Sequence, residues 1–244
     1  MSEHDAGVDV ALLAVSPSTE LVRRLRDGGM APHLVQVGEV RDRPDDEVRA
    51  GVGDLAGFAW VAVTSANAAR RLGLFAPWPE AVRVGAVGPA TADAVRAAGA
   101  PCTVSAVGGT GRDLADELDD GPVLFLAAGS ARDGLPDALR ERSIVVQTVV
   151  AYDVEARPLD DDGLRAIERS AAAVAMTPLA IEAISELAPD DRARVSGVPL
   201  VSIGPATSQR ARELGVDVAA EAVGRDADAL LGALRAVLDG TSAR

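Results

Sequence analysis

The chain has no lysine: all 24 of its basic residues are arginine. Without a side-chain primary amine, Schiff-base chemistry and a catalytic lysine are excluded. Cysteine is almost missing as well. Cys102 stands alone, so the chain can form no internal disulfide and offers no thiolate metal cluster. His4 and His33 are the two histidines, and His4 lies in the polar N-terminal stretch. That speaks against a Ser–His–Asp triad and against a multi-histidine metal site. Positive charge is outnumbered, 24 basic residues against 37 acidic, for a net charge of −13. Such a balance opposes general nucleic-acid binding. Met1–Gly7 has no apolar signal core, and no apolar run approaches the roughly 18–20 residues of a membrane span. These absences lead to the expectation of a cytoplasmic chain that uses no metal and has no nucleic-acid or membrane partner.

The chain does contain a phrase written twice. Residues 86–91 read Ala-Val-Gly-Pro-Ala-Thr, and residues 202–207, lying 116 positions later, read Ser-Ile-Gly-Pro-Ala-Thr. Each follows a short apolar run and precedes a helical pattern ending in glycine, Ala92–Gly99 and Ser208–Gly215. Ala106-Val107-Gly108 and Ala222-Val223-Gly224 repeat the same offset. Trp60–Leu72 resembles Val174–Ile184, with Thr64 set against Thr177 at an offset of 113. A period this long is a duplicated unit rather than a solenoid. With 244 residues, 48% hydrophobic, the chain can build two domains, each with its own core.

Apolar runs at Val8–Val15, Phe58–Val63, Val82–Val87, Pro122–Ala127, Ala172–Met176 and Leu200–Ile203 read as strands. They are continuous rather than alternating, which predicts burial on both faces and so parallel sheets sandwiched by helices. Helical patterns follow at Thr19–Gly28, Ala131–Arg142, Pro178–Leu187 and Ala227–Leu238. Pro32–Val40 and Ile144–Ala156 differ: they are Val-rich, lack a tight helix directly after them, and precede the charged stretches Arg41–Glu47 and Arg157–Asp162. They are the candidate interdomain segments, open to pairing with each other. Asp160-Asp161-Asp162 reads as solvated loop surface in preference to a metal site.

Several strand ends carry chemistry. In the repeated phrase, Gly88 and Gly204 allow a sharp turn, Pro89 and Pro205 suit a first helical turn, and Thr91 and Thr207 either cap the helix or offer a hydroxyl. Free N–H groups at such helix starts bind carboxylate or phosphate; the same residues also make a good helix start without any ligand. Thr64-Ser65-Ala66-Asn67 groups three hydrogen-bonding side chains, as an N-cap cluster or as a binding turn. Gly129-Ser130-Ala131-Arg132 could cradle an anion or simply turn into a helix; it matches neither a Walker loop nor G-x-G-x-x-G. Tyr152, the only tyrosine, sits in an apparent interdomain segment, as an edge side chain or as a proton donor.

Taken in order, Val63-Thr64-Ser65, Val87–Thr91, Leu126–Arg132 with Leu135, Val150-Ala151-Tyr152 and Ile203–Thr207 resemble the uroporphyrinogen-III synthase family from about residue 8 to about residue 238. The resemblance implies two Rossmann/flavodoxin-like α/β domains with parallel sheets, joined by a two-stranded β connector. One domain would hold residues 1–36 and 155–244, the other 41–150, with 37–40 and 151–154 as the connector. The implied reaction cyclises the linear tetrapyrrole hydroxymethylbilane with inversion of its last ring and loss of water, in a monomer and without a cofactor. Carried over by motif, Tyr152 would assist departure of the hydroxyl, with Thr207 beside it as a catalytic residue. Thr207, Thr91, Thr64 and Ser65 would also hold the substrate's propionates and acetates. Gly88, Pro89, Ser130, Thr177, Gly204 and Pro205 complete the implied substrate-binding set, and Thr91 and Thr207 are expected to face each other across a cleft. Two departures stand out. Val15-Ser16-Pro17 replaces the family's Thr-Arg-Pro, and Thr177-Pro178 replaces its Thr-Ser-Pro, one residue shorter. They leave open a non-catalytic or regulatory tetrapyrrole-binding relative.

Overall fold

The computed structural model describes residues 7–106, 110–119, 121–129, 134–224 and 226–242. In chain order its elements are β1 (Val8–Ala14), α1 (Thr19–Asp27), β2 (Met30–Gln36), β3 (Gly38–Asp42), α2 (Asp45–Val52), β4 (Trp60–Val63), α3 (Ala66–Arg70), β5 (Arg83–Val87), α4 (Pro89–Ala97), β6 (Cys102–Ala106), α5 (Gly111–Glu117), β7 (Val123–Ala128), α6 (Leu135–Glu141), β8 (Val146–Ala156), α7 (Asp161–Arg169), β9 (Ala172–Ala175), α8 (Pro178–Ser185), α9 (Pro189–Val195), β10 (Leu200–Ser202), α10 (Pro205–Leu214), β11 (Ala220–Glu221) and α11 (Ala227–Ser242). Each apolar run picked out above is a strand. The helix expected over Ala131–Arg142 begins at Leu135, its earlier residues lying outside those described.

The chain forms two compact units, one of residues up to Glu39 with those from Glu155 onward, the other of Val40–Val154. The first unit holds a five-stranded sheet in the order β11-β10-β9-β1-β2, and every pair in it is parallel. Numbered from β1, that is the 2-1-3-4-5 order of flavodoxin-like folds. The second unit runs β8-β7-β4-β5-β6, again parallel; numbered from β4 that is the 3-2-1-4-5 order of Rossmann folds, with β3 added beside β8. The β3–β8 pair is antiparallel. Arg157 N–H donates to the Val37 carbonyl at 2.9 Å and Arg43 N–H to that of Ala151 at 3.1 Å, so the partner's number falls as the chain advances.

Continuous apolar strands are buried on both faces, as parallel sheets require. In β7, Leu124 and Leu126 pack with Val61, Val63 and Leu72 on one face, while Val123 and Phe125 pack with Leu114, Leu135 and Leu139 on the other. In β1, Leu13 joins Val35, Ile167 and Ile181, while Val10 and Leu12 meet Leu25, Leu230 and Leu234. The charged stretches are not plain loops. Arg41 and Asp42 end β3, and Asp45, Asp46 and Glu47 form the first turn of α2. Asp160 caps α7, its carboxylate accepting Gly163 N–H at 2.9 Å, with Asp161 and Asp162 in the first turn. Acidic groups at a helix start complement the helix dipole, which accounts for both clusters.

Candidate functional site

In open parallel sheets of either order, ligands bind outside the carboxyl ends of the strands, where the strand order reverses. In the second unit that point lies between β4 and β7. Thr64 and Ser65 leave the end of β4. Ser65 is the N-cap of α3: its backbone is extended and its Oγ accepts Ala68 N–H at 3.1 Å. The same Oγ is hydrogen-bonded to the Tyr152 hydroxyl at 2.9 Å. Tyr152 is 6% exposed and stands level with Ala128, the last residue of β7. So the fold joins two candidates that lie 87 positions apart in sequence.

Gly129, which follows β7, is held from behind. Gly129 N–H donates to the Tyr152 carbonyl at 2.9 Å. A Cβ on Gly129 would run into the Asp153 carboxylate, so a side chain there would have to push that carboxylate aside. The Asp153 carboxylate pairs with the Arg43 guanidinium, which it holds above its ordinary value. Asp153 and Arg43 carry no sequence signal, since their partnership depends on β8 lying beside both β7 and β3. Ser130, expected to bind substrate, lies outside the described residues.

The two Gly-Pro-Ala-Thr phrases both start helices, but they differ in detail. Gly88 and Gly204 are the N-caps, with Pro89 and Pro205 opening α4 and α10. Thr91 and Thr207 therefore sit on the third helical residue and are not caps. Thr91 is 6% exposed and Thr207 2%. Neither hydroxyl forms a hydrogen bond to another described residue. Among the described residues, the fully buried side-chain atoms lacking such a bond are Arg71 Nε and Arg43 Nε, the latter facing Asp153. Gly88 has φ +76°, which strains any other residue, whereas Gly204 is extended at φ 162°.

The second copy holds a support that the first lacks. Ser202 and Ser208, 0% and 5% exposed, join their hydroxyls at 2.5 Å. Their equivalents 116 positions earlier are Ala86 and Ala92, two differences that each look ordinary in the sequence and gain meaning only as a pair.

In the first unit the order reverses between β1 and β9. Ser18 caps α1, accepting Leu21 N–H at 3.1 Å. Thr177 is the N-cap of α8, half-buried and with no side-chain cap bond. This corrects the expected equivalence. β4 and β9 begin at Trp60 and Ala172, and α3 and α8 at Ala66 and Pro178, an offset of 112 throughout. Thr177 thus matches Ser65, and Met176 matches Thr64. The turn is not one residue shorter; it has lost the first of its two hydroxyls. Within each unit the candidates converge: Thr64, Ser65 and Thr91 leave neighbouring strands β4 and β5, and Thr177 and Thr207 leave neighbouring strands β9 and β10.

Among the described residues no group of three or more His, Cys, Asp or Glu is placed to hold a metal ion, and no helix is long and apolar enough to cross a membrane. No curated protein sequence matches the chain significantly. The fold has solved counterparts. A mutant uroporphyrinogen III synthase from the extremely thermophilic bacterium Thermus thermophilus aligns over 96% of this chain and 100% of its own, with TM-score 0.56 and 21% identity. The uroporphyrinogen-III synthetase of Helicobacter pylori aligns over 94% of this chain and 99% of its own, with TM-score 0.65 and 16% identity. The sequence model described as uroporphyrinogen-III synthase HemD matches residues 19–232, most of the length. This chain belongs to the uroporphyrinogen-III synthase family.

Proposed function

We propose that the chain acts as a hydro-lyase on hydroxymethylbilane, closing it to uroporphyrinogen III with inversion of the last ring, and that its strand-end turns hold the substrate. The observation that carries this reading is that the described candidates at helix starts stand at the carboxyl ends of parallel strands. Thr64, Ser65 and Thr91 do so in one unit and Thr177 and Thr207 in the other, with Tyr152 level with the end of β7.

A substrate bearing eight carboxylates needs donors and little negative charge around it. The turns Thr64-Ser65, Gly88–Thr91, Thr177-Pro178 and Gly204–Thr207 contain no acidic residue, although the chain carries −13 overall. α4, α8 and α10 each open with proline, leaving N–H groups and a partial positive charge at the turn. Gly88, Pro89, Gly204 and Pro205 shape these turns, and the hydroxyls of Thr91 and Thr207 add donors. The bilane cyclises readily unaided, so the main task is to hold the conformation in which the last ring inverts. Tyr152 and Thr207 are the proposed catalytic residues, with Tyr152 assisting departure of the hydroxyl. The missing arginine at Ser16 and the missing hydroxyl at Met176 both fall in the first unit and reduce the number of substrate contacts there.

Incubating the purified chain with hydroxymethylbilane and separating the isomers tests this directly. Type III product is expected; type I alone, as in the uncatalysed reaction, would refute the reading. Tyr152→Phe should lower turnover while leaving the unfolding midpoint nearly unchanged, and unaltered turnover would return Tyr152 to a packing role. The working form is a cytoplasmic monomer, for which light scattering should give the chain mass of 24.9 kDa.

A further inference from the structure

The hydrogen inventory at the end of β4 limits what Ser65 can do. A serine hydroxyl has one hydrogen to give and two lone pairs to accept with. Ser65 Oγ already accepts Ala68 N–H at 3.1 Å and lies 2.9 Å from the Tyr152 oxygen. Of the two hydroxyl hydrogens in this pair, one lies between the oxygens, and a single hydrogen remains to be offered outward. The two residues are not equally accessible: Tyr152 is buried at 6% exposure, while Ser65 is half-buried. The stronger acid is therefore the less reachable group.

We propose that Ser65 and Tyr152 form one proton-donating unit, in which Ser65 relays the phenol proton to the leaving hydroxyl of the substrate. The proposal rests on the cyclase reading above. Ser65 Oγ gives its proton to the hydroxymethyl oxygen as the carbon–oxygen bond breaks, and the bonding pair leaves with water. Tyr152 gives its proton to Ser65 Oγ. The negative charge then rests on the phenolate, since a phenol is a far stronger acid than an alcohol. The cation left on the bilane is captured by the attacking pyrrole carbon, which loses a proton. That proton returns along the same path to Tyr152, so no oxidant or other co-reactant is consumed. The Ala68 N–H bond holds the serine rotamer through both transfers. Ser65 is thereby a catalytic residue and not a carboxylate-holding one.

The test is a kinetic cycle with hydroxymethylbilane, comparing the wild type, Ser65→Ala, Tyr152→Phe and the double variant. Each single change should lower kcat by roughly tenfold or more, the scale of general-acid assistance. KM should stay within about twofold, and the double variant should be no slower than the slower single, as for groups that act as a unit. Losses that multiply would overturn the relay. Because Ser65→Ala also removes the α3 cap, two further variants separate capping from proton delivery. Ser65→Thr keeps both and should restore kcat. Ser65→Asp keeps the cap acceptor but has no proton to give near neutral pH, and should be as slow as Ser65→Ala. A fast Ser65→Asp variant would overturn the proposal. Tyr152 is the only tyrosine, so a chain labelled with carbon-13 at the tyrosine ring carbon bearing oxygen gives one NMR signal. That signal should move in Ser65→Ala and return in Ser65→Thr; an unmoved signal in Ser65→Ala would count against the pair. Type I product from the wild type would overturn the cyclase reading and the relay together, whereas type III product with multiplying losses overturns the relay alone.

Discussion

Ser202 and Ser208 show how a buried polar pair depends on having both members. Their hydroxyls satisfy each other at 2.5 Å inside the first unit, where the other copy of the turn has two alanines. Removing one partner strands the other. Ser202→Ala or Ser208→Ala alone should therefore cost about 1–3 kcal/mol, the penalty of an unsatisfied buried hydroxyl. The double change, which recreates Ala86 and Ala92, should lie closer to the wild type than either single. Urea unfolding of the four proteins measures the cycle, and a double variant less stable than both singles would contradict the argument. The same residues explain a limit of sequence reading. A serine opposite an alanine at one position is noise; two such differences flanking one turn become informative only when the fold brings the pair within bonding distance. The Tyr152–Ser65 bond was hidden for the same reason, although both residues had been picked out singly.

Helix starts carry the second lesson. Both Gly-Pro-Ala-Thr phrases were legible as strand–turn–helix units, yet the identical letters take different backbone paths. Gly88 needs φ +76° and Gly204 is extended, while a Cβ at either position meets no atom within 4 Å. Substitution thus isolates backbone strain from crowding. Gly88→Ala should cost about 1–3 kcal/mol more than Gly204→Ala, which loses only capping quality. Thermal unfolding of the two variants checks it; equal losses would show that the turns are equivalent after all. The strands were readable because parallel strands buried on both faces leave unbroken apolar runs. The helix starts were less so. The offset of 113 misplaced Thr177 by one residue because Thr64 and Thr177 match by letter, whereas the fold matches Ser65 with Thr177 by their place at the start of a helix.

At the scale of the whole molecule, an acidic chain without lysine must settle its charges through arginine. Arg112 holds the Glu141 carboxyl below its ordinary value of 4.5, and Arg194 does the same for Glu168. Arg83, helped by the Trp60 indole, lowers Asp119 below 3.8. These folded values lie under the unfolded ones, so the stability they confer is complete above about pH 4.5 and is lost as the pH falls through the depressed values. The unfolding midpoint should drop on acidification from about pH 7 to about pH 3, and Asp119→Asn should drop less steeply. Salt should weaken the effect, because the groups are exposed. An Asp119→Asn variant as acid-sensitive as the wild type would remove that carboxylate from the account. The strand order has a different consequence, one for synthesis. β1 takes its place in the sheet beside β9, more than 150 residues downstream, whereas β3 to β8 complete their own sheet within residues 38–156. As the chain leaves the ribosome, the inserted unit has all its strands first. The opening β1–β2 pair, with Val10–Ala14 among its most apolar residues, must wait with one edge uncovered until β9 emerges.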